Sequence, residues 1–451
     1  MQLTDDTRKW WVLGAMCVTL FMVLFDESVV GVAVDTIQLD LGMTELAGHW
    51  VVNAYLLVLA AFVAVGGKAA DLFGYRRVFI VGSVIFGGAS LWCALAPNGT
   101  MLIAARGVQG LGAAIVFPLS LALAMIVFPP AQRGMAIGVL GLAGTTGLAL
   151  GPLTGGLLIE FLDWRWIFTV NVIAAVAITA LVAAVWREPP RSGGGPRFDV
   201  PGLLTLVLAL SALVFAVMQG GEWGWTSPIT FALFVVAIAS GCAFWFIESS
   251  RDDPLIEVEL FRSARFSAFN VGVFMAQFSK ATVLVFLPLY LQQQLGYSAI
   301  EAGLALLPGL VPNVLFALPA GRLVDRVGST RPLLLGLGGL VLAHIALAAL
   351  VDVDNYLALL PALLLWGPAV LYTFQGALTG VANSVAVEQQ GQASGISNEA
   401  QMLGGAIGIA VMSALQTSGA RWDVVFGVSA ATALAVVLFA WRALRTAPQA
   451  Q

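Results

Sequence analysis

Polar and apolar residues in this chain are segregated along its length. Mainly apolar runs fall at about 10–34, 46–66, 78–96, 100–127, 134–160, 166–186, 199–219, 228–247, 266–291, 299–320, 332–351, 356–382, 392–415 and 423–441, divided by short polar segments. About 20 apolar residues is the length a helix needs to cross a roughly 30 Å hydrocarbon layer. In lipid every backbone polar group must be satisfied internally, so the runs predict fourteen membrane helices. The expected class is an all-α integral membrane protein.

Basic residues sort with this division. With both termini cytoplasmic, 17 of the 21 Lys and Arg fall in inner segments, against Arg165 and Arg421 outside and Arg106 and Lys280 within runs. That asymmetry sets the orientation by the positive-inside rule. Two inner segments, REPPRSGGGPRFD (187–199) and ESSRDDPLIEVELFRSARF (248–266), carry the Gly, Pro and charge of linkers. They enclose two runs joined by QGGEWGWTSP, whose tryptophans suit a membrane interface. The expected domains are a six-helix bundle at 1–187, a linker with an inserted transmembrane hairpin at 188–262, and a second six-helix bundle at 263–451.

Composition narrows the chemistry. Of 451 residues, 59% are hydrophobic and 10% charged, where an average soluble domain has about 25% charged. The first run has no small-residue cleavage site, so no removed signal peptide is expected. Cys17, Cys93 and Cys242 sit in apolar runs and read as packing residues, not as disulfides or metal ligands. The sequence holds no G-x-x-x-x-G-K-[ST] loop and no H-E-x-x-H pair. No cofactor, metal or nucleic acid is expected, and an intramembrane enzyme is the remote reading.

Interior charges stand out against this background. FMVLFDESVVGVAVD (21–35) places Asp26 and Glu27 in the first run, and RGVQGLG (106–112) places Arg106 and Gln109 in the fourth. Lys280 lies about fourteen residues into the ninth run and Glu399 lies in the thirteenth. An ionised group at a bilayer centre costs between roughly 3 and more than 10 kcal/mol, so such residues line a polar cavity, pair or titrate. Adjacent helical residues point about 100° apart, so Asp26 and Glu27 face different neighbours. Asp35 and Glu160 are placed near the outer surface, and His49 and His344 are read as interface or packing residues. In the fifth run GTTGLALGPLTGG sets Gly147, Gly151 and Gly155 on one helical face, with Pro152 and Gly156 beside them. Such a face lets a neighbouring helix approach closely.

An internal repeat links the two halves. GKAADLFGYRR (67–77) and GRLVDRVGSTR (321–331) match at Gly, a basic residue, Asp, Gly and a final Arg, offset by 254 residues. Both follow the second run of their half on the inner side, the arrangement of a structural repeat. The same offset carries Asp26 onto Lys280.

Together these motifs resemble the major facilitator superfamily, and within it the fourteen-span drug:proton antiporters, over nearly the whole chain. The resemblance implies the major facilitator fold, with two six-helix bundles plus the inserted hairpin. It makes Gly67, Lys68, Asp71, Gly74, Arg76 and Arg77 a cytoplasmic gating loop, with Gly321, Arg322, Asp325 and Gly328 as its counterpart. It gives Arg106 a part in proton coupling, makes GPLTGG an exporter motif, and favours Asp26 as the proton-binding acid. WRWIFTVNV (164–172) and GQASGISNEAQMLGGAIGIA (391–410) also resemble the fourteen-span branch. One departure concerns the first helix, where the family usually has Thr, Asn and Pro after its Asp and this chain has Glu27, Gly31 and Asp35.

The implied function is a proton-coupled antiporter of the cytoplasmic (inner) membrane that exports amphiphilic, cationic compounds by alternating access. Its partners would be small amphiphilic substrates, protons and the lipid bilayer, and it would work as a monomer. Lys280 leaves two readings open: it is a structural ion-pair partner of Asp26, leaving Glu27 or Glu399 to titrate, or it takes part in substrate or proton coupling. A dedicated exporter of one metabolite, antibiotic or lipid is the alternative.

Overall fold

The computed structural model describes residues 5–188, 199–250, 258–297, 299–353 and 355–446; residues 189–198 of the expected linker 187–199 and 251–257 of the expected linker 248–266 lie outside them. The first group of helices is α1 (Asp5–Leu41), α2 (Glu45–Phe73), α3 (Tyr75–Ala94), α4 (Gly99–Val127), α5 (Arg133–Phe161) and α6 (Arg165–Val185). A pair follows, α7 (Val200–Trp223) and α8 (Pro228–Ser249). The last group is α9 (Ala264–Ala281), α10 (Leu287–Gln293), α11 (Ala299–Leu304), α12 (Leu307–Val327), α13 (Thr330–Leu350), α14 (Tyr356–Ala382), α15 (Gln390–Thr417) and α16 (Trp422–Thr446).

Local sequence sets these boundaries. The side chains of Thr44, Asn98, Asp199 and Ser227 each accept a first-turn amide at the start of α2, α4, α7 and α8, satisfying donors that a helix start leaves free. Gly74 (φ 98°) and Gly328 (φ 79°) break the chain between α2 and α3 and between α12 and α13, a backbone conformation that glycine adopts without steric cost.

Among the described residues eleven helices are long and apolar enough to cross a membrane, or thirteen when the two bent helices α2 and α12 are each counted as one span. The expected 392–415 span is α15, whose first turns carry buried Gln390, Gln392, Ser394, Ser397, Asn398 and Glu399. Those residues lower its hydropathy because they face protein. The expected 299–320 run is the short α11 followed by α12, which bends 47° between Asn313 and Leu315. Pro312 and Pro319 inside α12 explain the bend, since proline removes an amide donor and clashes with the preceding turn. The ninth run is α9 and α10 joined by a π-helical turn, Thr282–Phe286, which begins two residues after Lys280.

In the first group α1 lies along α5 and crosses α4 and α6, while α4 packs between α2 and α3. In the last group α13 packs on α14 and α16, and α9 packs on α14, α15 and α16. The groups meet where α2 and α4 touch α15 and where α5 touches α12 and α14. α7 and α8 pack on each other, and α7 docks the pair onto α2 and α15.

Candidate functional site

The costly charges of the first group find each other. Asp26 and Arg106 are both 0% exposed, and Arg106 Nη1 lies 2.5 Å from Asp26 Oδ2. Asp26 Oδ1 accepts from Asn171 Nδ2 at 2.6 Å and from Gln109 Nε2 at 2.9 Å. Gln109 Nε2 also donates to Ser90 Oγ at 3.0 Å, while its Oε1 accepts from Arg106 Nη1 at 2.6 Å. Arg106 Nε donates to the Val51 carbonyl at 2.8 Å, and the guanidinium lies 4.3 Å from the Tyr55 ring centre. The network therefore draws on α1, α2, α3, α4 and α6. A buried ion pair repays its desolvation only when its remaining hydrogen-bonding groups are also satisfied, and here Gln109 and Asn171 supply donors for the carboxylate. Among the fully buried network atoms of the described residues, Arg106 Nη2 is left without a partner.

This arrangement decides against the reading in which Lys280 pairs with Asp26. Asp26 is enclosed by first-group helices and its oxygens are already engaged. Among the described residues no carboxylate lies within 4 Å of Lys280, whose Nζ instead sits 5.0 Å from the Phe374 ring centre. Lys280 and Glu27 are half-buried. Glu399 is buried, and neither of its oxygens has a hydrogen-bond partner among the described residues.

The glycine face of α5 does what its spacing predicts. A methyl group on Gly147 would strike the Phe21 backbone, one on Gly151 would strike Ser28, and one on Gly155 would strike the Val29 side chain. The stripe thus seats α5 against the segment of α1 that carries Asp26 and Glu27. Gly156 points to open space and takes no part in this contact, and the Pro152 side chain lies outside the described residues.

The two repeated loops form a matched pair of clasps. Asp71 accepts from the Gln392 amide at 2.7 Å and the Gly391 amide at 3.1 Å, at the start of α15. Asp325 accepts from the Gly134 amide at 2.6 Å and the Met135 amide at 2.8 Å, at the start of α5. Each acid caps a helix of the opposite group, where free amides and the helix dipole favour a carboxylate. Close approach needs small residues, and Gly67 meets Gly391 as Gly321 meets Gly134. Tyr75 donates its hydroxyl to Asp71, and Arg76 donates to the Ala183 carbonyl. The exposed Arg322 lines a cavity of about 580 Å³ with Lys9, Gln132 and Asp325. Lys68 is half-buried and Arg77 exposed.

His344 is buried and bonded to the Leu340 carbonyl at 2.8 Å and to Ser279 at 3.3 Å, a packing role. The side chains of Asp35 and His49 lie outside the described residues, and Glu160 is exposed. The three cysteines are free. The sequence reading missed Asn171, Ser90 and Tyr55. Asn171 left one signal, a lone amide in an otherwise apolar run, whereas Ser90 and Tyr55 resemble ordinary helix residues until the helices are packed.

A family model described as the Major Facilitator Superfamily matches residues 16–409 and, in a second match, 269–451. The chain is 37% identical over 423 residues to a puromycin resistance protein of Streptomyces alboniger, covering 91% of this chain and 82% of that protein. It is 34% identical over 398 residues to the multidrug resistance protein Stp of Mycobacterium tuberculosis, covering 88% and 74%. It is 31% identical over 414 residues to a tetracenomycin C resistance and export protein of Streptomyces glaucescens, covering 91% and 76%. Its fold is similar to that of the human organic anion transporter MFSD10, with a TM-score of 0.68 and 16% identity over 97% of this chain and 100% of that one. The proton:xylose symporter XylE gives a TM-score of 0.67 at 16% identity, over 97% and 96%. A multi-pass membrane transporter and not an enzyme, the chain belongs to the Major Facilitator Superfamily.

Proposed function

We propose that this chain is a proton-coupled antiporter that exports amphiphilic, cationic drugs across the cytoplasmic membrane by alternating access. In this reading it has fourteen spans, both termini cytoplasmic, and acts as a monomer. Its domains are a bundle at 1–187, a linker and hairpin at 188–262, and a bundle at 263–451. The relatives named for drug resistance support export.

The observation that carries proton coupling is the contrast among the interior acids. Asp26 has three side-chain donors, whereas Glu399 is buried with none among the described residues. Burying an unpaired charge is prohibitive, so a carboxyl in that setting is carried neutral. Glu399, with Glu27 as the second acid, exchanges its proton for a cationic substrate, while the Asp26–Arg106 pair holds the first bundle together. Lys280, two residues before the π-helical turn Thr282–Phe286, contributes to substrate recognition; such turns often occur at functional sites. The clasps at Asp71 and Asp325 break when the two bundles rock about the central site.

The test is proton movement in proteoliposomes on addition of cationic, neutral and anionic amphiphiles. Antiport requires that cationic compounds move protons in the wild type, and no movement with any compound contradicts it. A dedicated exporter is the second reading, favoured by the relatives named for puromycin and tetracenomycin C. Movement with one compound alone selects it.

A further inference from the structure

The repeated loops carry the 254-residue offset into the structure, but the helices that follow them start differently. At the start of α3, Glu188 supplies a carboxylate: the Tyr75 amide donates to its Oε1 at 2.7 Å and the Arg76 amide to its Oε2 at 3.2 Å. Trp186 Nε1 holds the same group at 2.9 Å. The offset places Ser329, Thr330 and Arg331 at the equivalent positions of α13, where no side chain caps the helix.

At that point the protein has a cavity of about 520 Å³, lined by Arg265, Arg326 and Arg331 with Ser329 and Thr330 and by no acidic residue. Among the described residues none of the three arginines has a carboxylate within 4 Å. Ser329 is only 7% exposed, lines the cavity, and its hydroxyl makes no capping hydrogen bond to α13. Three neighbouring guanidinium groups repel one another unless an anion lies between them. The free amides and dipole of the α13 N-terminus add to the same preference. Where the first bundle supplies its own carboxylate, the second presents a cationic cradle. The apolar Val327 and Leu444 form another part of its wall.

We propose that this cavity binds a phosphate group, supplied by the headgroup of an anionic phospholipid. Arginine engages phosphate through paired, charge-assisted hydrogen bonds, Ser329 adds a hydroxyl donor, and Val327 and Leu444 lie against the first carbons of the lipid. Only the choice of the cytoplasmic leaflet rests on the proposed orientation. Binding is read on the resting protein without substrate or gradient, so it fails or stands apart from antiport.

The test is native mass spectrometry of the purified full chain titrated with phosphatidylglycerol, phosphatidylcholine or inorganic phosphate, with melting temperature as a parallel readout. Phosphatidylglycerol is expected to bind saturably and at least about tenfold more tightly than phosphatidylcholine, with about tenfold lost per arginine in Arg326→Gln and Arg331→Gln. Arg331→Lys, which keeps the charge but not the forked geometry, is expected to fall between wild type and Arg331→Gln. Arg442→Gln, outside the cavity, is expected to bind as the wild type does. Equal binding of the two lipids, or wild-type binding by the Arg326→Gln/Arg331→Gln double variant, overturns the site. Inorganic phosphate matching phosphatidylglycerol in affinity overturns the lipid source.

Discussion

The two bundles treat their interior charges in opposite ways. In the first, the carboxylate of Asp26 receives a guanidinium and two amides, and the network reaches five helices. In the second, Glu399 has no donor among the described residues and Lys280 faces the ring of Phe374. A satisfied network holds one arrangement, whereas a partly satisfied one is free to exchange partners. A repeat of backbone is therefore not a repeat of chemistry. The loops related by the 254-residue offset do matching work at Asp71 and Asp325, while Asp26 and Lys280, related by the same offset, go to different partners.

The comparison breaks most visibly at Arg106. Arg106→Ala strands a buried carboxylate and is expected to cost about 3–5 kcal/mol, seen as a large fall in melting temperature and in the yield of monodisperse protein. Arg106→Ala combined with Asp26→Asn is expected to recover part of that loss. If Arg106→Ala melts like the wild type, the first-bundle network is not a structural pair.

A smaller effect is expected at the clasps. Asp71→Ala and Asp325→Ala each remove a helix cap, at about 1 kcal/mol, which is about a fivefold change in population. Labelling of a cysteine placed at Ser394 from the cytoplasmic side should rise by about that factor in each variant and further in the double variant. Equal labelling in all three would show that the clasps do not hold the inner side closed.

The smallest effect lies at the surface, where Trp164 and then Arg165 hydrogen-bond to Asp40 and hold its carboxyl below the ordinary value of 3.8. A depressed value contributes stability that is present above the ordinary value and is lost as the pH falls through it toward the folded value. Asp40→Asn should flatten that acid-side slope of melting temperature against pH and leave the neutral region nearly unchanged.

Much of this was legible in the sequence because lipid imposes a strong rule. Apolar runs of span length located the helices, but their ends ran on. α1 covers Asp5–Leu41 where 10–34 was expected, since a helix continues into water when nothing stops it. Asp26, Arg106 and Gln109 were legible because charge in an apolar run demands compensation. Their pairing was not, because it depends on which helices pack together, and sequence offset pointed to Lys280 instead. The stripe at Gly147, Gly151 and Gly155 was readable as a contact face, although its partner α1 was not.

The central claim is that the unpartnered acids, not the paired Asp26, exchange protons for substrate. Proton release on substrate addition, followed with a pH indicator on purified protein, measures this directly. Glu399→Gln removes no hydrogen bond and should leave the melting temperature nearly unchanged while abolishing most of the release, with Glu27→Gln/Glu399→Gln abolishing the remainder. Full release by Glu27→Gln/Glu399→Gln, together with none from a folded Asp26→Asn, would contradict the account and assign the proton to the pair with Arg106.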